Sequence, residues 1–161
     1  MSSDYFARLL NEEEIATLSL MLDSDDDLLS EELYSGDDIL IGATTDYWIY
    51  SSCNAYLFEC DVFKSMTDSD FYNKLSKKCF ECELYINSKD MPMIINRIKE
   101  LDLSRSTLIP YFTEQLGQFD KTGYIEELEG IFEDEYLYFF TSFMEILDDA
   151  CKKNLNLLIM Q

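Results

Sequence analysis

The spacing of hydrophobic positions changes several times along the chain, and each change predicts a different element. Residues 5–10 form a short apolar and aromatic run, which predicts an opening strand. Asn11 and the three glutamates after it predict a helix start, because an Asn side chain caps free N–H groups and carboxylates suit the positive end of the helix dipole. The side chains that follow at helical spacing are Ile15, Leu18 and Met21 or Leu22.

The middle of the chain contains the start signals of several further helices. The predicted spans are a short acidic helix ended by Ser35 and Gly36, a helix from Asp68 or Ser69 to about Lys77, a helix that starts within 88–92, and a helix over 104–115 begun or kinked at Pro110. Residues 79–86 alternate in part between apolar and charged side chains, which predicts a strand or an extended bridge. The aromatic-rich run 39–63 predicts buried core without a definite element type.

The clearest pattern is C-terminal. Carboxylates at 133–135 and two lysines at 152–153 mark the ends of the longest predicted helix. Its apolar face repeats at steps of three or four through Tyr136, Phe140, Phe143, Leu147 and Ala150. Residues 155–160 then form an apolar run, typical of a strand buried inside a sheet. The pattern predicts an α+β fold, a single compact domain over residues 1–161 that is helix-rich with a small sheet, a long C-terminal helix and a terminal strand.

Composition places a strong negative charge on this folded body. The 161 residues are 47% hydrophobic with 11 Phe and 11 Tyr, which is enough to bury a core, and the net charge is −21. Residues 1–64 hold 15 acids and two bases, residues 65–109 hold seven of each, and residues 110–161 hold 11 acids and three bases. Such a surface disfavours nucleic acid and anionic membrane as partners and favours a basic protein. Solubility alone is the alternative explanation of the charge.

The acidity is densest in residues 23–38, where eight of sixteen residues are carboxylates and none is a cation. Asp23, Asp25 and Asp27 match the first ligand positions of an EF-hand loop. The sixth position, which needs Gly, is Leu28, and the twelfth, which needs Glu, is Tyr34. The sequence therefore predicts no metal and no cofactor here. A solvated acidic turn is the simpler interpretation of the segment, and a contact surface for a cationic partner is the functional one.

The predicted partner-binding residues combine carboxylates, which speed encounter, with aromatic anchors, which supply affinity. They are Asp25, Asp26, Asp27, Glu31, Glu32, Tyr34, Asp37, Asp38, Tyr47 and Trp48. The neutral segment 65–109 is expected to face away from that partner. The alternative for the aromatic members is that they belong to the core.

Catalytic motifs are missing from the sequence. The chain has no histidine, which excludes Ser-His-Asp and Cys-His systems, and it has no Gly-rich phosphate loop. We therefore expect no enzyme activity and no catalytic residues. Cys79 and Cys82 lack two further zinc ligands and do not open a helix, so structural thiols are the expectation. Five cysteines without an apparent leader, and no apolar run of about 20 residues, indicate reduced thiols and a cytoplasmic location.

Three stretches carry a family resemblance. They are Tyr5-Phe-Ala with the helix after it, residues 85–102, and residues 135–159 from Glu-Tyr-Leu to Leu-Leu-Ile. In these the chain resembles the YfbM-like family of small bacterial proteins, a domain of unknown function. The resemblance implies an α+β domain in a bacterial cytoplasm, and some members look like immunity proteins of toxin systems.

Charge and resemblance together predict an immunity or inhibitor protein that neutralises a basic toxin, with a nuclease as the favoured class. The first alternative is a nucleic-acid mimic that inhibits a defence or DNA-binding enzyme. The second is a small enzyme or ligand-binding domain.

Overall fold

The last strand of the chain lies inside the sheet, between the first strand and the strand at residues 82–86. The computed structural model describes residues 5–24, 27–33, 39–40, 47–117 and 128–161. The strands within these ranges are β1 (Phe6–Leu10), β2 (Ile39–Leu40), β3 (Cys82–Ile86) and β4 (Asn156–Met160). Their order is β2-β1-β4-β3, and every neighbouring pair is antiparallel. All five residues of β4 are buried, which confirms the prediction of a buried terminal strand.

Helices cover both faces of this sheet. They are α1 (Glu12–Asp23), α2 (Leu29–Leu33), α3 (Tyr47–Glu59), α4 (Asp70–Lys78), α5 (Met91–Lys99), α6 (Arg105–Gly117), α7 (128–131) and α8 (Tyr138–Lys153), with a π-helical segment at Phe132–Leu137. Because successive strand residues face opposite sides, Leu157 packs with α3, α5, α6 and α8, whereas Leu158 packs with α1, α2 and α4. The result is a single compact α+β domain, as predicted.

Capping residues explain why the helices begin and end where they do. Asn11 and Glu14 form a reciprocal capping box at the start of α1, since each side chain accepts a hydrogen bond from the other residue's backbone N–H. Ser69 caps α4, and Pro92 lies in the first turn of α5. Asn154 ends α8 in the left-handed conformation, with φ of 54°. These predicted helix boundaries are confirmed.

Two stretches differ from the sequence-based expectation. Residues 47–59 form helix α3, where the pattern left the element undefined because aromatic side chains occur on every side of it. The longest helix begins at Tyr138, and the carboxylates expected in its first turn lie instead in the π-helical segment before it. Because hydrogen bonds in a π-helix run from i to i+5, its turns are wider and residues four apart lie on nearly the same side. Phe132 and Tyr136 are four apart in this segment, and both are buried.

Candidate functional site

The predicted partner-binding residues divide into three groups. Asp27, in the turn before α2, and Glu31 and Glu32, on α2, are exposed, as a contact surface requires. Tyr47 and Trp48 are the first two residues of α3, and only their backbone is described. The members that lie outside the described residues are Asp25, Asp26, Tyr34, Asp37 and Asp38. What can be assigned structurally is therefore the acidic helix α2.

A buried arginine on β1 holds α2 against the sheet. Arg8 is only 6% exposed, and its Nη1 donates to the carbonyl oxygen of Glu32 and, at 2.6 Å, to that of Leu33. Its Nη2 lies 3.8 Å from the carboxylate of Glu14. The last carbonyls of a helix have no partner within the helix and carry its negative end, so a cation is the favourable group there. The contact of Arg8 with the end of α2 was not predicted from the sequence, because Arg8 and its acceptors are more than 20 residues apart.

Apolar contacts also hold α2 in place. Leu33 is buried in a cluster with Leu18 and Leu22 of α1 and Leu10 of β1. A five-residue helix is far too short to be stable alone, so these contacts and Arg8 account for its position. With Leu33 turned into the cluster, the exposed Glu31 and Glu32 are carried on the outer side of α2.

Helix α4 lies beside the start of the acidic stretch. Lys74 Nζ is 2.8 Å from the carboxylate of Asp23, and Lys78 Nζ donates to the carbonyl oxygen of Leu22 at 2.6 Å. Both lysines belong to the neutral segment 65–109. These contacts place α4 beside the start of the acidic stretch, where cationic groups suit the negative pole of α1. The expectation that the segment 65–109 faces away from the partner stays a prediction.

A second surface feature lies at the β3 side of the sheet. It is a cleft of about 390 Å³, named here the edge cleft, formed by the end of α3, the loop over residues 60–69, helix α4 and strand β3. Four of the side chains that line it are Phe58, Phe63, Tyr72 and Glu83. They come from α3, the loop after it, α4 and β3, so no local sequence pattern could have grouped them.

Two charged side chains, Arg97 on α5 and Asp90 directly before it, hold the loop that forms one wall of the edge cleft. Arg97 Nη1 donates to the carbonyl oxygens of Val62, at 3.1 Å, and Lys64. The buried Asp90 carboxylate accepts from the backbone N–H of Thr67 at 2.8 Å and from its hydroxyl at 2.9 Å. These bonds make the wall a fixed surface rather than one that must order when a ligand binds.

The thiol pair has the character expected of structural cysteines. All five cysteines are free, and the Cys79 thiol lies 3.1 Å from the carboxylate of Glu81. Burial raises the pKa of both Cys79 and Cys82, which lowers their thiolate fraction at neutral pH. Within the described ranges no group of three or more His, Cys, Asp or Glu residues is placed to hold a metal ion.

None of the described helices combines the length and the apolar character that crossing a membrane requires. Comparison of the chain with protein-family models, with curated proteins and with solved structures gave no match. The resemblance to the YfbM-like family therefore stays a prediction. The function proposed for the chain is based on its own charges and contacts.

Proposed function

We propose that the protein is an immunity or inhibitor protein that binds a basic partner, a toxin domain with a nuclease as the favoured class, through the acidic surface on α2. The observation that carries this proposal is the attachment of α2 by Arg8 and Leu33, which leaves the side chains of Glu31 and Glu32 exposed. Carboxylates held on a fixed element meet a partner with less loss of conformational freedom than those on a loose chain.

Charge and apolar contact have separate parts in this proposal. The negative field of the N-terminal part of the chain, with 15 acids and two bases in residues 1–64, would attract a basic surface and raise the rate of association. Exposed apolar groups beside the carboxylates would slow dissociation. Leu28, 55% exposed and next to the first residue of α2, supplies such a group.

The test begins with isolation of the binding partner from the source cell and measurement of association by stopped-flow fluorescence at low salt. The test variant replaces Asp27 by Asn and Glu31 and Glu32 by Gln. The control replaces Glu114 and Glu145 by Gln and Asp134 by Asn, which removes the same charge from the helices on the other side of the sheet. We expect the on-rate to fall about tenfold in the test variant and to change little in the control.

Equal losses in the two variants would show that only net charge matters and would contradict the assignment of α2. A neutral or acidic partner would contradict the function itself. The nucleic-acid mimic makes a different prediction, since it should bind several unrelated basic enzymes with an affinity that collapses as salt rises. An immunity protein should bind one partner and retain it in moderate salt.

A further inference from the structure

The carboxylate of Glu83 is placed at the edge cleft by an irregularity in β3. Cys82 pairs with Met160 and Leu84 with Ile159, so Glu83 is an extra residue without a partner on β4. Such a bulge re-aims a side chain and is over-represented beside binding sites. Because β3 is the outer strand of the described sheet, the cleft opens at its edge, between the helical layers.

Glu83 is exposed and lines the edge cleft with no cation beside it in the described part of the chain. No hydrogen bond or ion pair joins its carboxylate to any other residue that the structure describes, and the lining of the edge cleft contains neither Lys nor Arg. Although Glu83 is an exposed residue, partial desolvation of its carboxylate penalises the charged form and raises its pKa. A cationic ligand would remove that penalty.

The charge of Glu83 also acts on a buried hydroxyl of α3, that of Tyr50. Tyr50 Oη is buried and has no hydrogen-bond partner within the described chain, although most buried polar groups have one. Burial raises the pKa of Tyr50, and the negative charge of Glu83 is the next largest cause, so the two groups interact electrostatically. Tyr50 lies on α3 and does not line the edge cleft, so its hydroxyl is a separate unsatisfied group of the described chain and not a part of the site.

Aromatic rings line the edge cleft beside Glu83. Phe58 is 52% exposed and lies with its ring centroid 4.7 Å from that of Phe63. Tyr72 stacks on Tyr85 with centroids 6.2 Å apart, and its hydroxyl donates to the carbonyl oxygen of Cys82 at 3.3 Å. The faces of aromatic rings attract cations and also pack against aliphatic chains. The lining holds a second carboxylate, Asp68, but no group of three or more His, Cys, Asp or Glu in the described chain is placed to hold a metal ion, so rings beside carboxylates suit an organic cation better.

We propose that the edge cleft binds an organic cation, an ammonium or guanidinium group on an aliphatic stem, with the charged group at Glu83 and the stem against Phe58 and Phe63. The cleft volume of about 390 Å³ is at the small end of the range for ligand pockets and fits a group the size of a lysine side chain. The cation could be a free amine or a side chain presented by another protein. The chemistry of recognition is the same in both cases, and this site is separate from the acidic surface on α2.

Titration of the full chain with two probes, followed by NMR, tests the proposal. The probes are n-butylammonium chloride, which represents a free amine, and N-acetyl-lysine amide, which represents a side chain. N-acetyl-norleucine amide, which has an apolar chain of similar length and no charge, is the ligand control. We expect saturable shifts at Tyr72, Glu83 and Leu84 with at least one cationic probe and none with the norleucine compound.

Variants locate the site. Glu83→Gln should weaken binding of the cationic probe about tenfold, and Phe58→Ala should weaken it several-fold. Glu100→Gln removes the same charge from an exposed position outside the cleft and should leave binding unchanged. Tighter binding of butylammonium than of the lysine compound favours a free amine as the ligand, and the reverse order favours a side chain of another protein. Absence of saturable shifts with both cations, or equal affinity in the wild type and Glu83→Gln, would overturn the proposal.

Discussion

The guanidinium of Arg8 donates to the carbonyl oxygen of Leu33 across 2.6 Å and thereby joins the first strand to the end of α2. The same nitrogen donates to the carbonyl oxygen of Glu32. One buried cation from an inner strand thus donates to both carbonyl oxygens at the end of α2. The position of the acidic surface on α2 depends on this residue.

Replacement of Arg8 by Met should release α2. The substitution keeps an apolar stem of similar length but removes the cation that donates to the two carbonyl oxygens, and we expect the free energy of unfolding to fall by about 2 to 4 kcal/mol. Urea denaturation measures the loss, and faster hydrogen exchange over Leu29–Leu33 would locate it. Lys153→Met is the control, because it breaks only an exposed pair with Asp149 and should cost less than about 1 kcal/mol. Equal costs would show that Arg8 does not anchor α2.

The parts of the fold that were predictable from sequence are those fixed by nearby residues. The capping box needs only Asn11 and Glu14, three positions apart, and the buried character of β4 follows from its own five residues. Helix α3 was not assigned as a helix because its apolar side chains face both the core and the surface, as Tyr50 and Phe58 do, so no period stands out. Its type is decided by packing, which overrides local pattern.

The sites were harder to predict for the same reason. The exposed carboxylates of α2 could be predicted from composition, but the residue that holds the helix in place is Arg8, which is distant in sequence. Nothing in the sequence distinguishes Glu83 from the other 32 acids, whereas the pairing of β3 with β4 shows that it is the extra residue of a bulge. The register between distant strands and the contacts between separate elements cannot be predicted from the spacing of nearby residues.

Loss of the Asp90 carboxylate should loosen the wall of the edge cleft. Asp90→Ala removes both acceptors of Thr67, one for its N–H and one for its hydroxyl, and should cost about 1 to 2 kcal/mol because water can replace part of the bonding at the exposed threonine. Thermal unfolding of Asp90→Ala, Thr67→Ala and the double variant measures the coupling. Thr67→Ala removes only the hydroxyl bond, so full additivity of the two single effects would contradict the bond between the Thr67 hydroxyl and the Asp90 carboxylate.

The titration of Glu83 should appear in the pH dependence of stability. Partial burial raises the pKa of Glu83 above its ordinary value of 4.5, so the native state holds this proton more tightly than the unfolded chain does. The contribution of Glu83 to the free energy of unfolding therefore falls as pH rises from about 4.5 through its folded-state pKa. Glu83→Gln has no charge to lose or gain, so its free energy of unfolding does not fall in this way. We expect the free energy of unfolding of the variant, relative to that of the wild type, to be higher at pH 7 than at pH 4.

Urea denaturation of both proteins at the two pH values, in phosphate or acetate buffer free of organic amines, measures this difference. The amines are excluded because a bound cation would stabilise the charged form of Glu83. If the difference in free energy of unfolding between the variant and the wild type is the same at pH 7 and pH 4, the partial desolvation of the Glu83 carboxylate is contradicted.

Thiol reactivity should divide the five cysteines into two groups. Burial raises the pKa of Cys53, Cys79 and Cys82, so both low thiolate content and poor access should slow their alkylation. Cys60 and Cys151 are partly exposed. We expect iodoacetamide to modify these two first in the native protein and all five in urea, as mass spectrometry of the digested chain would show. Early modification of Cys79 or Cys82 would contradict their assignment as structural thiols.

Asn154 should tolerate Gly far better than Ala, because it carries the chain from α8 into the central strand with φ of 54°. Its N–H and that of Leu155 donate to the last carbonyls of α8, so the left-handed conformation is needed to end the helix. Gly adopts this conformation without steric cost, whereas an Ala side chain crowds the following carbonyl. Asn154→Gly should change the free energy of unfolding little, and Asn154→Ala should lower it by about 1 kcal/mol. Thermal unfolding of the two variants checks the difference, and an alanine variant as stable as the glycine variant would show that α8 and β4 can be joined without this cap.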